Sequence, residues 1–87
     1  MRVKVTEVGK GLHPSEVVVQ IETVEGAPER LVVDRRSIID NTIEVGYPVR
    51  RDNGYLLIEL PRETVSGSWR VWVPRETVVG EAFEGAA

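Results

Sequence analysis

Apolar and polar residues alternate with period two along much of this chain, which is the signature of strands with one face in a core. Met1, Val3 and Val5 fall on one side of the first segment and Arg2, Lys4 and Thr6 on the other, so residues 1–8 read as a half-buried strand. Gly9, Gly11 and Pro14 interrupt it. Residues 16–24 carry the strongest pattern, with Val17, Val19, Ile21 and Thr23 on one face and Glu16, Val18, Gln20 and Glu22 on the other. A Gly26-Ala27-Pro28 turn then sends residues 30–33 back as a hairpin partner. Asp40-Asn41 is a loop pair, followed by a short strand at 42–45. Pro48 cannot donate to a ladder, which places Tyr47-Pro48-Val49 on an edge or at a bulge. Asn53-Gly54 is the clearest tight turn, since both residues tolerate positive φ. Strands are expected at 55–60 and 69–73, separated by Ser66-Gly67-Ser68.

Composition narrows the fold class. Val, Ile and Thr number 26 against 10 for Ala, Leu and Met, and β-branched side chains suit a pleated surface better than a helix. Only residues 29–45 run far without Gly or Pro. The expectation is one mostly β domain over residues 1–80, with residues 81–87 a frayed acidic, small-residue tail. There are no cysteines and one histidine in 87 residues, so no disulfide or thiolate metal centre supplements the core, and no metal or cofactor is expected.

The net charge of −3 arises after Arg75: eleven basic residues balance eleven acidic ones up to that point, and Glu76, Glu81 and Glu84 follow. A neutral body lacks the positive excess usual for nucleic-acid binders. No apolar run is long enough to span a bilayer, and the alternating N-terminus does not read as a signal peptide, so the expected location is cytoplasmic with no membrane partner.

The pentapeptide Pro-Arg-Glu-Thr-Val occurs at 61–65 and again at 74–78, each time after an apolar-x-apolar strand end. A weaker copy, Asp34-Arg35-Arg36-Ser37-Ile38, follows Leu31-Val32-Val33. Each reads as a strand tipping into one helical turn, with Pro suited to the first helical position and Asp to a cap. The closing Val or Ile would then fold back onto the core. A spacing of thirteen is too short for a solenoid, so the unit is expected to turn one barrel strand into the next. Arg35, Arg62 and Arg75 hold like positions in it. They could present bidentate guanidinium groups from one rim, or lie over the core edge and pair with nearby carboxylates.

In the strand after Ser66-Gly67-Ser68, Trp69 shares the face of Val71 and Val73, expected to be core, while Trp72 shares the wetter face with Arg70. Trp and Arg dominate binding hot spots, so Trp72 and Arg70 are the leading interface candidates, unless Phe83 of the tail covers Trp72. Arg50-Arg51 before the Asn-Gly turn, with Tyr55 after it, makes a small basic-aromatic loop. His13 has no partner that spacing identifies, and Gly9-Lys10-Gly11 lacks the spacing of a phosphate loop.

The succession of short strands, a Gly-x-Pro-Val turn, a tight hairpin and a strand ending in one helical turn is similar to SH3-like barrels. The strand-Pro-x-x-x-Val element also resembles that of AbrB-type swapped-hairpin DNA-binding proteins, where it precedes a Gly-x-x-Val hairpin that here it follows. These resemblances imply a five- or six-stranded SH3-like barrel with single helical turns after strands, or an AbrB-like swapped-hairpin dimer. The expected function is a non-enzymatic binding or assembly module whose partner is another protein or a second copy of itself. The alternatives are a nucleic-acid-binding regulator using Arg35, Arg36, Arg50, Arg51, Arg62 and Arg75, and a small ligand-binding domain, for which a chain this short offers little room.

Overall fold

The computed structural model describes residues 1–24 and 27–80. Among the described residues nine strands form: β1 (Arg2–Lys4), β2 (Thr6–Lys10), β3 (Glu16–Ile21), β4 (Glu29–Asp34), β5 (Thr42–Glu44), β6 (Arg50–Asp52), β7 (Tyr55–Glu59), β8 (Arg70–Pro74) and β9 (Val78–Val79). Single 3-10 turns follow β4 (Arg35–Ser37) and β8 (Arg75–Thr77). The protein is mostly β, as its β-branched composition demands. Pairing is antiparallel throughout and divides into three three-stranded sheets, β5-β1-β9, β2-β3-β4 and β6-β7-β8. These are more strands than the five or six expected, and the ladders form no closed barrel. The expected 81–87 tail, and Gly26 of the first hairpin turn, lie outside the described residues.

The alternating faces place the core. Val17, Val19 and Ile21 of β3, Leu31 and Val33 of β4, Leu56 and Ile58 of β7 and Val71 and Val73 of β8 are buried, joined by Val3, Val5, Ile43, Val45, Leu60 and Val78. The half-buried strand expected at 1–8 is broken at Val5, where the chain leaves one sheet for the next. Its second part continues past Gly9 to Lys10, absorbing the glycine beside a bulge at Val8.

The two outer sheets repeat each other. Val17 opposes Val33 and Val19 opposes Leu31 in one, as Leu56 opposes Val73 and Ile58 opposes Val71 in the other. The Arg35 N–H donates to Ser15 C=O at 2.7 Å, as the Arg75 N–H does to Gly54 C=O at 2.8 Å. Lys10 opposes Val17 as Arg51 opposes Leu56. Val49, whose N–H reaches Leu57 C=O already opposed by Arg50, occupies the bulge position that Val8 holds in β2. Bulges on β2 and β6 disrupt the regular edges that would otherwise invite aggregation.

Two two-residue turns depend on left-handed backbone. Asn53 (φ 44°) and Gly54 (φ 87°) join β6 to β7 as a two-residue hairpin, as the Asn-Gly pair requires. Asp40 (φ 51°) and Asn41 (φ 59°) do the same between Ile39 and Thr42, which exchange hydrogen bonds of 3.0 and 2.9 Å. Neither residue is glycine, so this turn retains some strain. Asn41→Gly is expected to stabilise the protein by roughly 0.5 kcal/mol, raising Tm by about 2–4 °C in calorimetry. A lower Tm would show that the Asn41 side chain contributes more than its backbone strain removes.

The first 3-10 turn is capped as expected. The Asp34 carboxylate accepts the Arg36 N–H at 2.8 Å and meets its guanidinium at 3.3 Å. The side-chain hydrogen bond from Arg36 is the main cause holding Asp34 below the ordinary aspartate range. Ser37 and Thr77 each close their turn by donating back to the carbonyl of Asp34 or Pro74, at 2.6 and 2.7 Å.

Candidate binding face

Antiparallel neighbours directly opposite one another share a face, so the register defines the outer surface of the β6-β7-β8 sheet. Arg50, Leu57 and Trp72 form one row across it, Asp52, Tyr55 and Pro74 the next, and Glu59 and Arg70 a third. Leu57 and Trp72 are half-buried, while Tyr55 is 43% exposed. The Leu60 N–H donates to Trp69 C=O, which makes Leu57–Trp72 a non-hydrogen-bonded pair, the closer of the two antiparallel spacings. Such an aromatic–aliphatic pair contributes about 0.2–1 kcal/mol.

Trp72 and Arg70, the two leading interface candidates, do come together. With Thr23, Glu29 and Ser68 they line a cleft of about 240 Å³ between the β8 edge and the end of the β3–β4 hairpin. Trp72 C=O accepts the Val24 N–H at 3.1 Å, so that hairpin braces the strand. Arg70 is held against Glu59 by contacts of 3.3 Å, across the sheet rather than along it. The expected cover for Trp72, Phe83, lies outside the described residues.

Trp69 departs from the sequence expectation. It is 54% exposed and not part of the core. β8 begins at Arg70, and Trp69 precedes it: its carbonyl accepts the Leu60 N–H, but the register of paired residues ends at Glu59–Arg70. Beyond the paired stretch the strand's alternation no longer decides which way a side chain points.

The three in-register arginines occupy separate settings. Arg35 meets Glu7 at 3.6 Å. Arg62 donates to Val32 C=O at 3.4 Å and approaches Glu16 at 4.0 Å. Arg75 lies with Lys4, Gly54, Glu76 and Val79 around an open groove of about 570 Å³. Arg35 and Arg62 thus follow the expected alternative of pairing near the core edge; these surface pairs contribute little to stability. Arg36 is engaged with Asp34. His13 is exposed, its N–H 3.4 Å from the Glu16 carboxylate. Among the described residues no cluster of metal-ligating side chains forms and no helix is long and apolar enough to cross a membrane.

Sequence reasoning missed two parts of this face. Arg50–Asp52 is strand β6 rather than a loop, and Leu57 joins Trp72 on the outside. The alternation Tyr55, Leu57, Glu59 carried the second signal; the register needed to place Trp72 beside Leu57 did not show in the sequence. Comparison of this chain with known protein families, with curated proteins and with solved structures gives no match.

Proposed function

We propose that the chain is a non-enzymatic binding and assembly module that engages another polypeptide through the outer face of the β6-β7-β8 sheet, with a second copy of itself as first candidate. One observation carries this reading. The outer sheets repeat each other, yet of the aromatic residues among those described Tyr55 and Trp72 lie on strands of the second, Tyr47 and Trp69 lie in the segments leading into β6 and β8, and none lies on the first. Where β7 and β8 carry Tyr55, Leu57 and Trp72 outward, β3 and β4 carry Glu16, Val18 and Val32. Two equivalent scaffolds need equal cores; they do not need unequal aromatic surfaces, and aromatics beside arginine are what interfaces concentrate.

The SH3-like reading belongs to the same proposal in modified form. A three-stranded meander followed by one 3-10 turn is an SH3-like order that occurs twice here, continued by the short strand β9 in the second case and by the isolated Ile39 bridge in the first. The nucleic-acid reading draws less support, because Arg35, Arg36, Arg62 and Arg70 are each engaged with a carboxylate.

Sedimentation equilibrium of the chain and of Trp72→Ser tests the proposal. The unaltered chain is expected to gain mass with concentration, and the variant to remain a monomer with an unchanged far-UV spectrum. A chain that stays monomeric to about 1 mM, where association falls short of roughly −4 kcal/mol, overturns self-assembly through this face.

A further inference from the structure

We infer that residues 1–40 and 41–80 are interchangeable copies of one self-complementary unit, so that this chain is a fused two-fold dimer and the partner each half fits is a second copy of that half. The inference is independent of the binding face proposed above.

The central sheet supplies the axis. β1 and β5 begin the two halves and pair antiparallel with Val3 opposite Ile43, its own counterpart forty residues on, flanked by Arg2–Glu44 and Lys4–Thr42. Equivalent strands that pair about equivalent residues are related by a two-fold axis, as in an isologous interface. Each half then delivers its last residues to the first strand of the other. Val79 pairs with Arg2 of β1, and Ile39 bridges Thr42 of β5.

Each half also braces the other, through bonds of the same kind set two residues apart in register, since Val32 and not Arg30 is the counterpart of Trp72. The β3–β4 hairpin of the first half donates Val24 N–H to Trp72 C=O on β8. The β7–β8 hairpin of the second donates Val65 N–H to Arg30 C=O on β4, at 2.7 Å. Each half thereby seals an edge strand that the other leaves open.

The core obeys the same relation. Val3, Val5, Val17, Val19, Ile21, Leu31 and Val33 match Ile43, Val45, Leu56, Ile58, Leu60, Val71 and Val73, and buried Val78 matches Ile38, which packs against the cluster. Larger residues at three of the second half's positions (Ile43, Leu56 and Ile58) are nearly offset by Leu31 and Ile38 in the first, so volume is balanced between halves and not only within the whole. The ends agree too. A Cβ built on Gly80 would lie 3.2 Å from Met1 Cα, bringing residue 80 to residue 1 where the chain itself joins Asp40 to Asn41.

Two doubled chains test this, one with residues 41–80 in place of residues 1–40 and one with residues 1–40 in place of residues 41–80. A doubled chain that folds is expected to unfold cooperatively and to give a single set of backbone amide resonances, half the number for the natural body, because its halves are equivalent. Either chain doing so supports the inference. Failure of both to fold, or two resonances per duplicated residue in a folded one, overturns it. A circular permutant beginning at Asn41, with residues 81–87 leading from Gly80 to Met1 and ending at Asp40, is a second measurement. It should retain the natural chain's amide spectrum away from the new ends, and collapse of that spectrum counts against the inference even if a doubled chain folds.

Discussion

Ile58→Ala is expected to remove about 2–5 kcal/mol from the unfolding free energy, the range for truncating a fully buried aliphatic residue. Ile58 has no solvent exposure. It sits on β7, the central strand of its sheet, opposite Val71 of β8, which is itself buried. Truncation loses the transfer energy of the deleted carbons and leaves a cavity that rigid neighbours fill poorly. Proteins in general have only about 5–15 kcal/mol of stability, and a chain of 87 residues without a disulfide has little beyond its core. Urea denaturation followed by fluorescence would therefore show a large fall in midpoint with an unchanged slope. A loss below about 1 kcal/mol would contradict the packing described.

Thr64→Val should cost about 1–3 kcal/mol, while the same substitution at Thr77 should cost less, although both threonines come from identical pentapeptides. Thr64 is 4% exposed and anchors the loop between β7 and β8. Its hydroxyl accepts the Ser68 N–H at 2.9 Å and contacts Ser66 Oγ at 3.2 Å, while its own N–H donates to Ser68 C=O. Valine fills the same space but strands the part-buried Ser68 donor, and an unmet N–H shielded from water is the expensive case. The next residue, Val65, is the one that bonds Arg30 and covers the β4 edge, so amide exchange at Val65 should accelerate with the loss of stability. Thr77 only donates to Pro74 C=O, and a carbonyl left with one fewer bond is better tolerated. Equal losses at the two positions would show that the loop does not depend on the Thr64 hydroxyl.

That contrast explains how far the repeated pentapeptide could be read. The copy at 74–78 behaves as expected, with a 3-10 turn followed by β9. The identical copy at 61–65 contains no such turn. It crosses as a hairpin loop, with Arg62 and Val65 against β4 and the Val65 side chain 74% exposed rather than folded onto the core. The true structural counterpart of 74–78 is the weaker copy, Asp34–Ile38, forty residues earlier. Five residues hold too few local interactions to choose a conformation, so their surroundings chose it. In the second copy Arg75 N–H meets Gly54, and in the first Val65 N–H meets Arg30. The same limit misplaced Trp69, whose alternation was right for a strand that had not yet begun.

Local geometry is legible in the residues alone: period-two faces on β3, β7 and β8, the β-branched preference for strands, the Asn53-Gly54 hairpin and the Asp34 cap all follow from residues within a few positions of each other. Which strands are neighbours, how the ladders divide into three sheets, and that two halves with little sequence identity share a similar register emerge from the folded chain. Side-chain pattern specifies which face is buried, and many pairs of aliphatic residues satisfy that requirement equally. Register and partner are properties of distant segments meeting, and the aromatic face around Trp72 exists only once they have met.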